Sequence, residues 1–296
     1  MIWSNEISRR TFFKAATGLA GGAVLGSFGL ALHEPHELQV EHVEIHLSRL
    51  PPALDGFRVA QLSDIHFGEY MGADYLRKIV AAANAQKPDL VLLTGDYVTA
   101  PSYSHRREHN QYALQIWPCV EVLTNLQARC GRLAILGNHD CHTNPAIISE
   151  ALREKGNAVL RNQAIPIEAN GARVWFAGLA DVLSQYPDPE AAFRPVPPGE
   201  CIVTAVHEPD YADELRKYPV DFVVSGHSHG GQVRLPGVGA VYLPRGARKY
   251  PMGYYRLGDL QLYTNRGVGM IGLPVRFLCP PELTVFTLRS STQHGT

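Results

Sequence analysis

The chain has 296 residues, 45% of them apolar, and a formal net charge of −1. That is enough apolar material for a full core in one large domain or two small ones. A sequence pI near 6.9 excludes a basic field that would hold nucleic acid or an anionic membrane at long range. The five cysteines are odd in number and lack any CxxC spacing, which excludes a disulfide scaffold. A Cys119–Cys130 bridge is the one pairing considered, and it requires an oxidising compartment.

The N-terminus carries Ser8-Arg9-Arg10-Thr11-Phe12-Phe13-Lys14, followed by an uncharged, Gly- and Ala-rich run from Ala15 to Leu32. A positive region ahead of an apolar one reads as an export signal. The Arg pair, the two phenylalanines and the lysine resemble the twin-arginine signal, an address read by a receptor. Residues 1–31 are therefore expected to be a signal peptide, with Gly29 and Ala31 in a small-x-small cleavage site, or a retained N-terminal anchor. The expected destination is the periplasm or the outer face of the cytoplasmic membrane. The expected partner in transit is the twin-arginine translocation machinery.

Residues 38–48, "ELQVEHVEIHL", alternate as an opening strand, with "LPPALDG" as its turn. "FRVAQLSD" is a continuous apolar strand, "ADYLRKIVAAANAQ" has helical spacing and "DLVLLTGD" is a second buried strand. "YALQIWPCVEVLTNLQ" is helical in pattern but interrupted by Pro118. "GRLAILGNHD" reads as a third strand, and "NPAIISEALREKG" as a helix between Pro145 and Gly156. Shorter strands follow at "AVL", "IPIEA", "VWFAGLAD", "CIVTAVHEPD" and "VDFVVSGHSH", with a helix at "YADELRKY". The last stretch adds "GQVRLP", "AVYLP", "YYRLGDLQLYTN" and "ELTVFTLR". The alternation predicts an α/β fold, a two-sheet β-sandwich flanked by helices. One catalytic domain is expected over 38–290, with a loose tail at 291–296.

Five apolar strands end in groups that bind metal. The first ends in Asp64 and His66, the second in Asp96, and the third in Asn138, His139 and Asp140. "CIVTAVH" ends in His207, and "VDFVVSGHSH" in His227 and His229. Sites in open α/β sheets lie outside the carboxyl ends of the strands, so these residues are placed to converge. Imidazole, carboxylate and amide oxygen suit manganese, iron or zinc. A carboxylate can bridge two ions, one through each oxygen, and two ions about 3.5–4 Å apart clamp an in-line displacement at phosphorus. In an extended segment residues i and i+2 face one side, which would turn both His227 and His229 inward and Ser228 away. Each piece has a plainer reading. His66 could be a core histidine, Asn138 a left-handed loop residue and His207 a strand cap.

The order Asp-x-His, Gly-Asp, Gly-Asn-His-Asp, His, Gly-His-x-His resembles the calcineurin-like metallophosphoesterase superfamily. "LSDIHFG", "LLTGDYV", "ILGNHD", "VHEPD" and "VVSGHSHGGQVRLP" carry the likeness, and "NRGVG" and "PPELTVFTL" resemble its exported bacterial phosphodiesterase-like branch. The resemblance implies a dinuclear site. Asp64, His66 and His229 would hold one divalent ion, and Asn138, His207 and His227 the other, with Asp96 between them. It implies phosphoester hydrolysis, phosphodiesters favoured, with His139 as general acid. The substrate would be a small phosphoester or a phospholipid-like one. The alternatives are a pyrophosphatase on a nucleotide-sugar lipid precursor such as UDP-diacylglucosamine, and an inactive envelope-binding protein on the same scaffold.

The protein phosphatases of that superfamily carry "GDxVDRG". Here Thr99 stands in place of the orienting Asp, and Ala100 in place of the phosphate-gripping Arg. Phosphoprotein substrates are not expected. Asp140 is a candidate to orient His139. Asp181 either supports the site or caps a loop. Arg266 either contacts phosphate or pairs with a carboxylate. Arg106 and Arg107 lie in a loop that either meets an anionic substrate or is simply solvated.

Overall fold

The computed structural model describes residues 31–68, 70–100, 109–184 and 186–291. The twin-arginine motif, the Arg106–Arg107 loop and the C-terminal tail from 292 onward lie outside them. Among the described residues no helix is long and apolar enough to cross a membrane.

The elements follow in chain order. β1 is Gln39–Leu47 and β2 is Phe57–Leu62; helix α1, Ala73–Ala85, leads to β3, Leu90–Leu93. α2 (His109–Ala113) and α3 (Ile116–Leu123) precede β4, Arg132–Ala134; α4 (Asn138–Thr143) and α5 (Pro145–Glu154) precede β5, Ala158–Val159. β6 (Gln163–Ala169) and β7 (Ala172–Gly178) are followed by α6, Pro189–Phe193, and β8, Ile202–Ala205. After α7 (Ala212–Leu215) come β9 (Phe222–Ser225) and the small strands β10 (Arg234–Leu235) and β11 (Gly239–Ala240). β12 (Gly253–Leu257), β13 (Leu260–Thr264) and β14 (Glu282–Ser290) complete the chain.

Two six-stranded sheets result, ordered β1-β14-β2-β3-β4-β5 and β12-β13-β9-β8-β7-β6, with β10 and β11 paired separately. β2, β3, β4 and β5 run parallel, as do β7, β8 and β9. This is the expected two-sheet sandwich with helices outside. Strand periodicity explains the layering. In β3, Leu90 and Leu92 face the second sheet and join Phe176, Val203 and Phe222 in the central core. Val91 and Leu93 face the other way and pack under Leu76, Ile79, Val120 and Ile148 of α1, α3 and α5. Both faces of the strand are covered, which is why its sequence reads as an unbroken apolar run.

Local differences from expectation have local causes. The helix expected across Pro118 is split, but at Leu114 and Gln115; Pro118 sits in the first turn of α3, where its missing N–H leaves no helical bond unmade. The third strand stops at Ala134, and Asn138 begins α4 rather than ending a strand. The plainer reading of Asn138 as a left-handed loop residue therefore falls. α5 starts as its sequence indicated, with Asn144 accepting from the amides of Ala146 and Ile147. All five cysteines are free, so no Cys119–Cys130 bridge forms in this structure.

Candidate metal centre

The chain turns abruptly after four of the apolar strands and β4, and the turns meet at one end of the sandwich. Asp64, His66, Asp96, His227 and His229 all adopt the left-handed backbone conformation, with φ between 49° and 68°. Non-glycine residues seldom do so, and such strain persists only where the surroundings enforce it. Here the enforcement is visible. Asp64 donates its amide to the Gly95 carbonyl, His66 to Asp96 and Phe67 to Tyr97, so the loops after β2 and β3 stay paired beyond the strands. His227 and His229 are therefore brought to the site by a turn and not by the period of an extended strand. Ser228 does not point idly away: it is buried and its hydroxyl accepts from the Gly230 amide, capping that turn. Gly226 and Gly137 must lack side chains. A Cβ on Gly226 would lie 2.4 Å from Asp64 Oδ2, and one on Gly137 would lie 2.2 Å from Asp96 Oδ1.

Three overlapping donor groups result: Asp64, His66 and His229; Asp96, His207 and His227; and His66, Asp96 and His139, each with donor atoms within 4.8 Å of one another. Asp96 belongs to the second and third of these, and His66 links the third to the first. Oδ2 of Asp96 lies 3.2 Å from Nε2 of His207 and 3.6 Å from Nε2 of His66. Its Oδ1 accepts the backbone amide of His139 at 2.9 Å. Oδ2 is therefore the Asp96 oxygen that faces both rings. Asp64 is held by Ser63, whose hydroxyl donates to Oδ2, and by the His227 amide at 3.0 Å.

The donor set fits two divalent ions. Oδ1 of Asn138 is buried with no hydrogen-bond partner. Nε2 of His66 faces Nε2 of His229 at 3.1 Å. Buried polar atoms are rarely left so unless a ligand completes them. Three of the imidazoles are also turned by their far nitrogen, a standard way of presenting the near one to metal. Nδ1 of His66 bonds Thr99 Oγ1 at 3.1 Å, and Nδ1 of His207 donates to the Thr94 carbonyl at 2.7 Å. Both thereby present Nε2. His227 is reversed: Nε2 donates to the Arg245 carbonyl at 2.9 Å and leaves Nδ1 for the centre.

Burial, followed by the His139 ring, holds His66 well below the usual imidazole range. Burial, followed by Arg276, does the same to His229, and burial lowers His227. These rings are neutral and ready to ligate. His207 goes the other way: burial disfavours its charge, but Asp96 and Asp64 outweigh that and hold it well above the usual range. Burial alone would raise Asp96, yet the surrounding histidines hold its carboxyl well below the carboxylate range.

His139 lines the cavity, and its ring is oriented by Ala100, whose amide donates to Nδ1 at 2.9 Å. Asp140 does not take that role. It is fully buried and accepts the amides of Gly137, Asp96 and Tyr97 at 2.8–3.0 Å, tying the Asp96 loop to the start of α4. Asp181 caps its loop by accepting the Ser184 amide at 2.6 Å. Arg266 is a pairing residue: it meets Glu282 at 2.6 Å and Glu41 at 2.7 Å, which accounts for its charge without a substrate.

Three residues escaped the sequence reading. Arg276 is wholly buried beside the centre and donates only to carbonyls, those of Arg266, Gly267, Gly269 and Cys279, at 2.7–3.2 Å. It organises the loop whose Val268 and Gly269 amides bind the Ser63 and Asp64 carbonyls. A lone arginine within "LPVRFLC" was the available signal. Glu208, buried next to His207, is pushed well up by burial and by its contact with Asp181, and accepts the Val182 amide. Gln232 bonds the Ile271 and Leu273 carbonyls and the Ile271 amide. It pins that loop to the "GHSHGGQ" turn.

Residues 57–231 match the calcineurin-like phosphoesterase family. Over 97% of its length the chain is 36% identical to the metallophosphoesterase YkuE of Bacillus subtilis, covering 99% of that protein. It is 30% identical over 95% of its length to the phosphodiesterase YaeI of Escherichia coli, again covering 99%. Over 85% of its length it is 27% identical to the UDP-2,3-diacylglucosamine pyrophosphatase LpxG of Chlamydia muridarum, covering 89% of that protein.

Proposed function

The chain belongs to the calcineurin-like phosphoesterase family, and from that premise we propose that it is an exported phosphodiesterase. Family and donor geometry together support hydrolysis of phosphoesters dependent on two divalent ions. Two ions in such a site supply Lewis acidity and an activated water at neutral pH. Asp64, His66, His229, Asn138, His207, His227 and Asp96 would hold them. His139 lines the cavity as the proton donor to the leaving oxygen, a role its ring fills in the protonated imidazolium form.

The observation that favours diesters is the charge of the cavity wall. Among the described residues no lysine or arginine lines it. Ala100, where related phosphatases carry an arginine, offers only its backbone. A phosphomonoester brings roughly −1.5 to −2 charges at neutral pH, a diester only one. A wall whose described residues include no cationic side chain suits the smaller charge. The similarity to YaeI points the same way. Export is read from the Arg9-Arg10 signal.

The test is a comparison on Mn²⁺-loaded full-length protein of bis(4-nitrophenyl) phosphate with 4-nitrophenyl phosphate. The diester should be preferred by about tenfold or more in kcat/KM, a difference of about 1.4 kcal/mol. A monoester preference would reverse the assignment. Turnover of neither, with metal bound, would bring forward the inactive envelope-binding protein. UDP-diacylglucosamine belongs in the same panel because of the similarity to LpxG. Replacing Arg9 and Arg10 by lysine should leave the protein in the cytoplasmic fraction.

A further inference from the structure

A cavity of about 690 Å³ opens from the metal centre. One end is made by Asp96, Asn138, His139, His227 and His229. The wall leading away is apolar: Leu183, Val233, Val241, Ile271, Leu273 and Val275. The volume is that of a site for a sizeable organic ligand, well beyond a bare phosphate. We propose that the substrate is an amphiphilic phosphodiester whose apolar chain lies along this wall, and that the mouth takes it from a lipid surface. This deepens the phosphodiesterase reading and rests on it.

The mouth supports the second half. Ten large apolar side chains are substantially exposed among the described residues, and six of them come from two short segments at this cavity. They are Leu235 and Val238 on the β10–β11 hairpin, Val241 and Tyr242 just after it, and Leu273 and Leu278 on the neighbouring loop. The segments are held together: the Arg234 amide donates to the Phe277 carbonyl, and Gln232 holds the loop at Ile271 and Leu273. Val238 at the hairpin tip is 74% exposed. Apolar clusters of this kind on a soluble surface mark contact with another apolar phase. Two exposed cations, Arg245 and Arg248, follow directly on the hairpin. Cations beside an apolar rim suit anionic headgroups.

The chain entry point agrees. The Ala31 carbonyl accepts the Arg276 amide, and Glu34 accepts the amides of Leu278 and Cys279. Ala31 and Glu34 thus lie against the same loop that carries Leu273 and Leu278. A protein partner would account for the exposed rim but not for its continuity with the apolar wall inside.

The experiment uses full-length, Mn²⁺-loaded protein and a series of alkyl 4-nitrophenyl phosphates with methyl, octyl and tetradecyl chains. The long-chain ester is supplied in vesicles of phosphatidylcholine containing a minority of phosphatidylglycerol. Apolar burial along the wall should raise kcat/KM by about tenfold or more from methyl to tetradecyl. The rim variant Leu235→Asp/Val238→Asp should lose that gain on vesicles and hydrolyse the methyl ester at the wild-type rate, which also certifies its fold. Hydrolysis of the methyl ester with no gain from chain length, or a rim variant as fast as wild type on vesicles, overturns this inference alone. No hydrolysis of any ester by the wild type overturns the phosphodiesterase reading beneath it.

Discussion

The amide of Ala100 donates to Nδ1 of His139 at 2.9 Å. A backbone group thus fixes the ring where relatives carry an aspartate at the preceding position, but in the opposite sense: the amide donates to Nδ1, whereas a carboxylate accepts from it. His139→Asn should slow diesters with poor leaving groups by about 10²–10⁴, the range for a positioned proton donor. Nitrophenyl esters, which need little protonation, should lose far less. Steady-state kinetics on alkyl and nitrophenyl leaving groups separates the two, and an equal loss on both would remove His139 from this role.

Thr99 stands in place of a charged residue and is nonetheless a positioning residue. Its hydroxyl is the partner of His66 Nδ1 at 3.1 Å. Thr99→Val keeps the volume and removes the bond. Such outer partners are worth about 10–100-fold in metal affinity. Mn²⁺ titration of apo Thr99→Val should show weakening of that order, with Thr99→Ser restoring most of it. Unchanged affinity in the valine variant would make the contact incidental.

Asp140 is predicted to matter for stability more than for proton transfer. Asp140→Ala would leave the buried amides of Gly137, Asp96 and Tyr97 without an acceptor. Each such group costs about 1–3 kcal/mol, so a loss of about 3 kcal/mol or more is expected. Urea unfolding of the metal-free variant measures it. A midpoint within error of wild type would refute the clamp.

Metal affinity should depend on pH through His207. Its pKa in the metal-free protein is held above the ordinary value, with burial opposed and outweighed by Asp96 and Asp64. Nε2 therefore keeps a proton to higher pH than a free imidazole, and that proton must leave when metal binds. Affinity should fall as pH drops through the raised value and should still be rising above the pH at which an ordinary histidine has finished titrating. His66, His227 and His229 are shifted down and do not compete in that range. Calorimetry in buffers of different ionisation enthalpy measures the released proton. A profile that levels off near the ordinary histidine value would count against this account.

The readable part of the site follows from strand ends. "FRVAQLSDIH", "DLVLLTGD" and "VDFVVSGHSH" each place metal-binding side chains after a run buried on both faces, and such runs have few places to go except a sheet interior. The α/β sandwich and the convergence of these groups were legible from the strand ends, and the family resemblance then picked out the seven candidate ligands. Harder to read was how the chain turns. His227 and His229 look like an alternating pair, yet both carry positive φ, because Gly226 lets the turn close against Ser63 and Asp64.

By itself, the sequence determined the donor chemistry, its order along the chain and the fold class, because these depend on residue type and local periodicity. Only the tertiary structure decided the rest. It turned Oδ2 of Asp96 toward both His66 and His207, engaged Nε2 of His227 but Nδ1 of His207 with backbone carbonyls, and made the Ala100 amide the partner of His139. It buried Arg276 among carbonyls and gave the metal centre an apolar wall. Each of these depends on atoms brought together from distant parts of the chain. A backbone amide or carbonyl is present at nearly every position, so nothing in the residue names says which one will face a given ring.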